Sequence, residues 1–292
     1  MKQPIIALGT FDGVHLGHQK IIKEAVNFAR KTKTASITIT FDPHPQLVVA
    51  PQRGLRLLTT LQERTELISR LGVDRIYPIR FDHKIQKMSA EEFTKKYLVK
   101  KFKTQAVFVG FDYAFGQGRC GHIRELKRLG KKYGFRVEVT APVGADSLVV
   151  KSSTIRELLS FGYLEKANRF LGYHYIVSGR VVRGAGRGKT LGFPTANLKV
   201  EKHKLIPAQG VYAGKVLIGR KKYKGVINIG SRPTFERPGL AIEVHIFNFK
   251  RNIIGKNIRV EFIKRLRDEK QFPDVLELIA QIKKDIARGR RV

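Results

Sequence analysis

A single cysteine, Cys120, occurs in 292 residues. No internal disulfide can form, and no multi-cysteine metal framework exists. No run of about 18 apolar residues appears, which argues against a membrane span. The opening MKQPIIALGTFDG lacks the charged, apolar, small-residue order of a signal peptide and reads as a strand entering a loop. No repeat or low-complexity linker is visible, and neither a zinc-finger pattern nor an aromatic RNA-binding signature occurs. Acidic residues are scarce: 24 Asp plus Glu stand against 57 Lys plus Arg, a formal charge of +33. A cytoplasmic protein is the expectation.

Hydrophobic residues make up 42% of the chain, enough for the cores of two ordinary domains or one large one. The basic excess is shared about equally between the two halves rather than gathered in an arm. Such a field attracts polyanions, so a nucleic-acid binder and a solvated basic surface both stay open. Any nucleic-acid binding by so diffuse a field is expected to be weak and non-specific.

The first half alternates between strand and helix. PIIALGT, ASITITF, VDRIYPIRF, QAVFVGFD and FRVEVTAPV read as strands. Between them lie helical segments, one ending at Gly72 and one opening with a Ser89–Glu92 capping box. This order predicts an α/β domain with a parallel sheet, whose ligands bind beyond the carboxyl ends of the strands. KSSTIRELLSFGYLEKANRFLG predicts two short helices. Then come short β-branched or aromatic runs, among them GVYAGKVLIG, KKYKGVINIG and LAIEVHIFNF, which predict a small antiparallel β-barrel closed by a C-terminal helix. The expected domains are 1–172 and 173–292.

Two stretches of the first half suit phosphate. In GTFDGVHLGHQ, His15 and His18 stand one helical turn apart if a helix begins near Leu16. Gly13 and Gly17 would let a ligand approach the backbone beside a helix N-terminus. In KSSTIREL, Ser152, Ser153 and Thr154 offer hydroxyls and N–H groups, and Arg156 a bidentate guanidinium. Alone, each stretch reads more readily as surface or capping histidines and a plain serine-threonine N-cap. In the second half, GRVVRGAGRGKTLGFPTANL is glycine-rich and basic but lacks the Walker spacing. It could cradle phosphates through N–H groups or be a flexible hairpin. Thr195 and Asn197 would face one side of an extended strand and could offer two oxygens to Mg²⁺.

The order GTFDGVHLGHQ, TFDPHP, VGFDYAFGQGRCG, KSSTIREL resembles the adenylyltransferase module of the prokaryotic bifunctional riboflavin kinase/FAD synthetase family. That module is a Rossmann-like nucleotidyltransferase. The PTAN stretch followed by GVINIGSRPTF, IEVHIFNF and LRDEKQF resembles the riboflavin kinase module of the same family. The resemblance implies an enzyme that phosphorylates riboflavin to FMN with ATP and then adenylylates FMN to FAD. It implies that Gly9, Phe11, Asp12, Gly13, His15, Gly17, His18, Asp112, Ser152, Ser153, Thr154 and Arg156 bind the ATP of adenylylation, with His15, His18 and Arg156 catalytic. It implies a kinase ATP site at Gly184, Gly186, Arg187, Gly188, Lys189, Thr195 and Asn197, with Mg²⁺ on the last two and Glu243 as base. His44, Pro45, Arg267, Asp268 and Glu269 are expected beside the flavin. Arg183, Asn248 and Tyr113 depart from the usual histidine, aspartate and phenylalanine of the family.

Overall fold

Ile5–Leu8 are four apolar residues in a row, and all four are buried as strand β1. Such a continuous run is what a strand covered on both faces requires. The computed structural model describes residues 3–145, 148–184, 186–232 and 239–292, without the side chains of Arg187, Lys189 and Arg232. The chain divides into two compact units, one ending at Ser152 and the other beginning at Ser153.

In the first unit β1 is followed by α1 (Leu16–Thr32), β2 (Ser36–Asp42), α2 (Pro45–Val49), α3 (Leu61–Ser69), β3 (Arg75–Arg80), α4 (His83–Gln86), α5 (Ala90–Phe93), β4 (Ala106–Gly110), α6 (Ile123–Tyr133) and β5 (Arg136–Thr140), then a small hairpin, β6 (Gly144–Ala145) and β7 (Leu148–Val149). The five strands β1 to β5 pair in parallel in the order β3-β2-β1-β4-β5. Helix α1 buries Ile21, Ile22, Ala25, Val26 and Ala29, the stripe its apolar spacing predicts. Each of the larger three contributes about 1.5–3 kcal/mol by leaving water. The Ser89–Glu92 capping box forms as expected, but the helix it starts turns π-helical over Thr94–Lys101. Helix α3 ends at Ser69, three residues short of Gly72, which serves the following turn at φ +80°. The strand order reverses between β1 and β4, so the crevice for a ligand opens at the carboxyl ends of those two strands.

The second unit runs α7 (Ser152–Ser160), α8 (Leu164–Leu171), β8 (Tyr175–Val182), α9 (Arg187–Thr190), β9 (Ala196–Val200), β10 (Gly210–Ile218), β11 (Lys221–Arg232), β12 (Gly239–Ile246), β13 (Asn257–Arg267) and α10 (Val275–Arg290). Six strands close into a barrel in the order β10-β11-β12-β9-β8-β13. Its inward face carries Val177, Tyr212, Ile227, Ile229, Val244, Val260 and Phe262, all fully buried. Strand β9 carries Asn197 on the extended backbone that the sequence allowed beyond Pro194. The unit begins earlier than the sequence boundary near Gly172 because both short helices pack on the barrel. Asn168 of α8 donates to Phe262 O at 3.0 Å and accepts from Tyr175 N at 2.7 Å. Ala208 N donates to Leu159 O of α7 at 2.9 Å.

Candidate active sites

Beyond Leu8 the chain turns over the carboxyl end of β1 before α1 begins. Phe11 (φ +51°), Gly13 (φ +84°) and Val14 (φ +36°) take left-handed backbone there. Glycine does so at little cost, whereas Phe11 and Val14 must be held by their surroundings. The Asp12 carboxylate supplies part of that hold. It accepts from Leu58 N at 3.0 Å, Thr59 N at 2.9 Å and the Thr59 hydroxyl at 3.1 Å. Gly13 N donates to the same hydroxyl at 3.0 Å. From α3, the buried Arg64 donates to Thr10 O at 3.0 Å and to Phe41 O at 2.9 Å. The loop is thus fastened from below by residues some 50 positions away in sequence.

His15 is the N-cap of α1, and its Nδ1 accepts from His18 N at 3.3 Å. With Nδ1 accepting, the neutral ring carries its proton on Nε2, which becomes a donor. The two imidazoles stack with centroids 3.6 Å apart and planes at 19°, and Phe11 meets His18 edge-on at 5.3 Å. A Cβ on Gly17 would lie 3.2 Å from His15 Cε1, so glycine leaves room for that ring. The pair therefore stands at a helix N-terminus, where the helix dipole favours an anion. Ser152 joins the loop by donating its hydroxyl to Asp12 O at 2.9 Å. Asp112 is exposed two residues beyond β4, and His44 caps α2 just beyond β2 with Pro45 at its first position. These residues lie at the carboxyl ends of three adjacent strands. Ser153, Thr154 and Arg156 follow in the first two turns of α7.

In the barrel, Asn197 of β9 pairs in register with Glu243 of β12, which pairs with Asn228 of β11, then Val211 of β10, then Arg267 of β13. Residues directly opposite on neighbouring strands share a face. The row lies on the outer face, since Ile227 and Val244 beside it point inward. Asn197 is 4% exposed. A Cβ on Gly184 would come within 2.7 Å of Asn197 Cγ, and one on Gly188 within 3.2 Å of Thr195 Oγ1. The glycines thus let the loop lie against the two residues expected to hold Mg²⁺. Gly186 is different: it has φ +75° and nothing within 4 Å of a Cβ, so it serves the turn alone. The expected side chains of Arg187 and Lys189 lie outside the described residues.

The loop after β13 is tied at two points. Arg265 pairs with Asp268 at 2.7 Å, and Arg267 pairs with the buried Asp285 of α10 at 2.8 Å. Gln281 adds a 2.8 Å bond to Asp285. The Arg267 guanidinium is thereby held on the scaffold at the start of the loop expected beside the flavin. Glu269 then lies over Gly230, where a Cβ would meet its Cδ at 3.1 Å and Asn228 Nδ2 at 3.4 Å. Glu269, Asn228 and Glu243 are brought to one surface. Sequence reasoning missed Arg64, Thr59, Asn228, His245 and Asp285, because each acts through a partner distant in sequence. Phe11 and Asp12, expected at ATP, are each 1% exposed and support the loop from beneath.

Comparison with known proteins assigns a family to each half of the chain. A family model described as FAD synthetase matches residues 1–154, and one described as riboflavin kinase matches residues 171–292. A Listeria monocytogenes bifunctional riboflavin kinase/FMN adenylyltransferase is 38% identical over 283 residues, covering 96% of this chain and 90% of its own. The chain belongs to the bifunctional riboflavin kinase/FMN adenylyltransferase family. The Escherichia coli K12 member is 34% identical over 287 residues, 98% of this chain and 91% of its own. A solved Streptococcus pneumoniae structure, described as a macrolide-efflux protein, has a TM-score of 0.90 and 31% identity, with coverage of 100% of this chain and 95% of that one. Among the described residues no helix is long and apolar enough to cross a membrane. As a family member the chain is a transferase with both domains, riboflavin kinase and FAD synthetase, and it carries riboflavin through FMN to FAD at the expense of ATP.

Proposed function

We propose that the two reactions use the two clusters described above, with a functional boundary between Gly172 and Tyr173. In the barrel, Glu243 takes the proton of the terminal ribityl hydroxyl as its oxygen attacks the γ-phosphorus of ATP. The bond from the γ-phosphorus to the bridging oxygen breaks, and ADP leaves. A neutral alcohol gains from such a base. Asn197, directly opposite Glu243, and Thr195 hold the nucleotide end. Their hard oxygens suit Mg²⁺, and no cluster of three acidic, histidine or cysteine side chains is found among the described residues. That is the usual pattern for Mg²⁺ held by one or two protein oxygens and by substrate phosphates. When bound, the ion would neutralise phosphate charge. Gly184, Gly186 and Gly188 bring backbone to the phosphates, and Arg187 and Lys189 add charge. Arg267, Asp268 and Glu269 stand beside the flavin.

In the adenylylation reaction, an oxygen of the FMN phosphate attacks the α-phosphorus of a second ATP and pyrophosphate leaves. The nucleophile is already an anion, so no base is needed. His15 Nε2–H and His18 donate to the phosphate under attack, and the N–H groups at the start of α1 add to that field. Ser152, Ser153, Thr154 and Arg156 hold the triphosphate. Gly9, Gly13 and Gly17 keep the loop close, with Phe11 and Asp12 as supports. Asp112 lines the crevice, and His44 and Pro45 meet the flavin. A cytoplasmic setting belongs to the same reading, as does a nucleic-acid affinity that is weak and non-specific. The observation that carries the kinase assignment is the in-register row Asn197–Glu243–Asn228. The test is Glu243→Gln, which keeps the size and removes the base. FMN formation should fall roughly 10²- to 10⁴-fold, with FAD formation from supplied FMN retained. Unchanged FMN formation removes Glu243 from the mechanism.

A further inference from the structure

Pro194 immediately precedes Thr195, and it interrupts the strand ladder. Strands β9 and β12 pair at only two positions, Asn197 with Glu243 and Ala196 with Val244. Continuing that register one step brings His245 opposite Thr195. The next step reaches Pro194, which has no N–H to give. The ladder therefore stops just where the nucleotide-side residues begin, which leaves the Pro194 carbonyl outside it.

The imidazole of His245 donates to that carbonyl. Its Nδ1 lies 2.9 Å from Pro194 O. A carbonyl oxygen only accepts, so Nδ1 carries the proton, which fixes the tautomer of the neutral ring. Phe193 meets the same ring edge-on at 6.1 Å, and Phe247 packs against it at 5.9 Å. Phe193 N in turn donates to Gly188 O at 2.7 Å. His245 shares a strand face with Glu243, two residues before it. One side chain thus fastens the Gly188–Thr195 loop to the strand that carries the base.

We propose that His245 is a positioning residue for the kinase reaction, setting Thr195 relative to Glu243 through the Nδ1–H bond to Pro194 O. The proposal rests on the assignment of Thr195, Asn197 and Glu243 to the kinase site. His245 itself touches neither ATP nor flavin. Its loss frees the loop end, and a misplacement of about 1 Å in a reacting assembly costs on the order of 10²-fold.

Asparagine and glutamine separate position from bulk. The Asn amide nitrogen falls near the position of Nδ1, and that of Gln near Nε2. His245→Ala and His245→Gln should lower riboflavin kinase kcat/KM for ATP by about 10- to 100-fold, as for a loosened loop in a reacting assembly. A raised KM for ATP should carry much of the effect. His245→Asn should stay within about threefold of the unsubstituted enzyme. FAD formation from supplied FMN is measured in each variant as the internal control. Equal losses in the Asn and Gln variants overturn the proposal, since damage to the barrel would affect both alike. An unchanged Ala variant also overturns it. Glu243→Gln is run in parallel. If it slows the kinase while the His245 variants do not, the site stands and the positioning role falls. If it has no effect, the site assignment itself falls.

Discussion

Gly184→Ala adds one methyl group at the point where the glycine-rich loop lies against Asn197. The new Cβ would stand 2.7 Å from Asn197 Cγ and nearer still to its amide nitrogen. Carbon atoms rest at about 3.5–4.0 Å, so the amide or the loop must yield by about 1 Å. Asn197 is 4% exposed and pinned in register with Glu243, so it has little room to retreat. The φ of Gly184 is not in the left-handed region, which leaves the collision as the cause. A displacement of about 1 Å predicts a loss on the order of 10²-fold in kinase kcat/KM. The assay follows riboflavin to FMN under single-ATP turnover conditions, with FMN to FAD as control. The second reaction should keep its rate. A wild-type kinase rate in Gly184→Ala would refute the claim that this contact sets the site.

Three further outcomes are expected. The Tyr113 hydroxyl is buried with no hydrogen-bond partner among the described residues, and burial pushes its ionisation well above that of an ordinary tyrosine. Tyr113→Phe removes that unsatisfied group, so stability should rise by about 1 kcal/mol, read as a Tm increase in thermal unfolding; a lowered Tm would contradict it. Replacing both His15 and His18 by alanine should slow FAD formation from FMN by about 10²-fold or more while FMN formation persists, measured by separating the flavins; an unchanged rate would exclude the pair from the reaction. The charge of +33 is spread over both halves. Nucleic acid should therefore bind without sequence preference and be released steeply as salt rises, as a gel shift from low to physiological salt would record. Sequence-selective binding at physiological salt would require a second function.

The parts of this account that were legible in the sequence are local ones. The β-α alternation, the Ser89–Glu92 box, and the helix start beside His15 and His18 all depend on residues within a few positions of one another. Strand β9 was not legible. The stretch beyond Pro194 reads as either extended chain or the end of a turn, and what decides it is pairing with β8 and β12, far off in the chain. The helices α7 and α8 belong by motif to the first module and by packing to the second unit. Asn168 makes that choice through bonds to Phe262 and Tyr175, which no local pattern reveals. The same holds for the sites. Motif spacing points to His15, His18, Thr195, Asn197 and Glu243. Their supports, Arg64 under the first loop, His245 on Pro194, and Asp285 on Arg267, are side chains that find one another only once the strands are paired. The Arg267–Asp285 ion pair is one more contact that motif spacing does not reveal.

Complementation between two single-site variants tests the central claim most directly. One variant carries Glu243→Gln and the other His15→Ala with His18→Ala. Each is incubated alone with riboflavin, ATP and Mg²⁺, and then the two are mixed, with riboflavin, FMN and FAD separated over time. Two independent sites predict that the first variant leaves riboflavin largely unconverted, the second stops at FMN, and the mixture produces FAD. A mixture that fails to form FAD, although each variant retains its other reaction, would contradict the assignment of the two reactions to these two clusters.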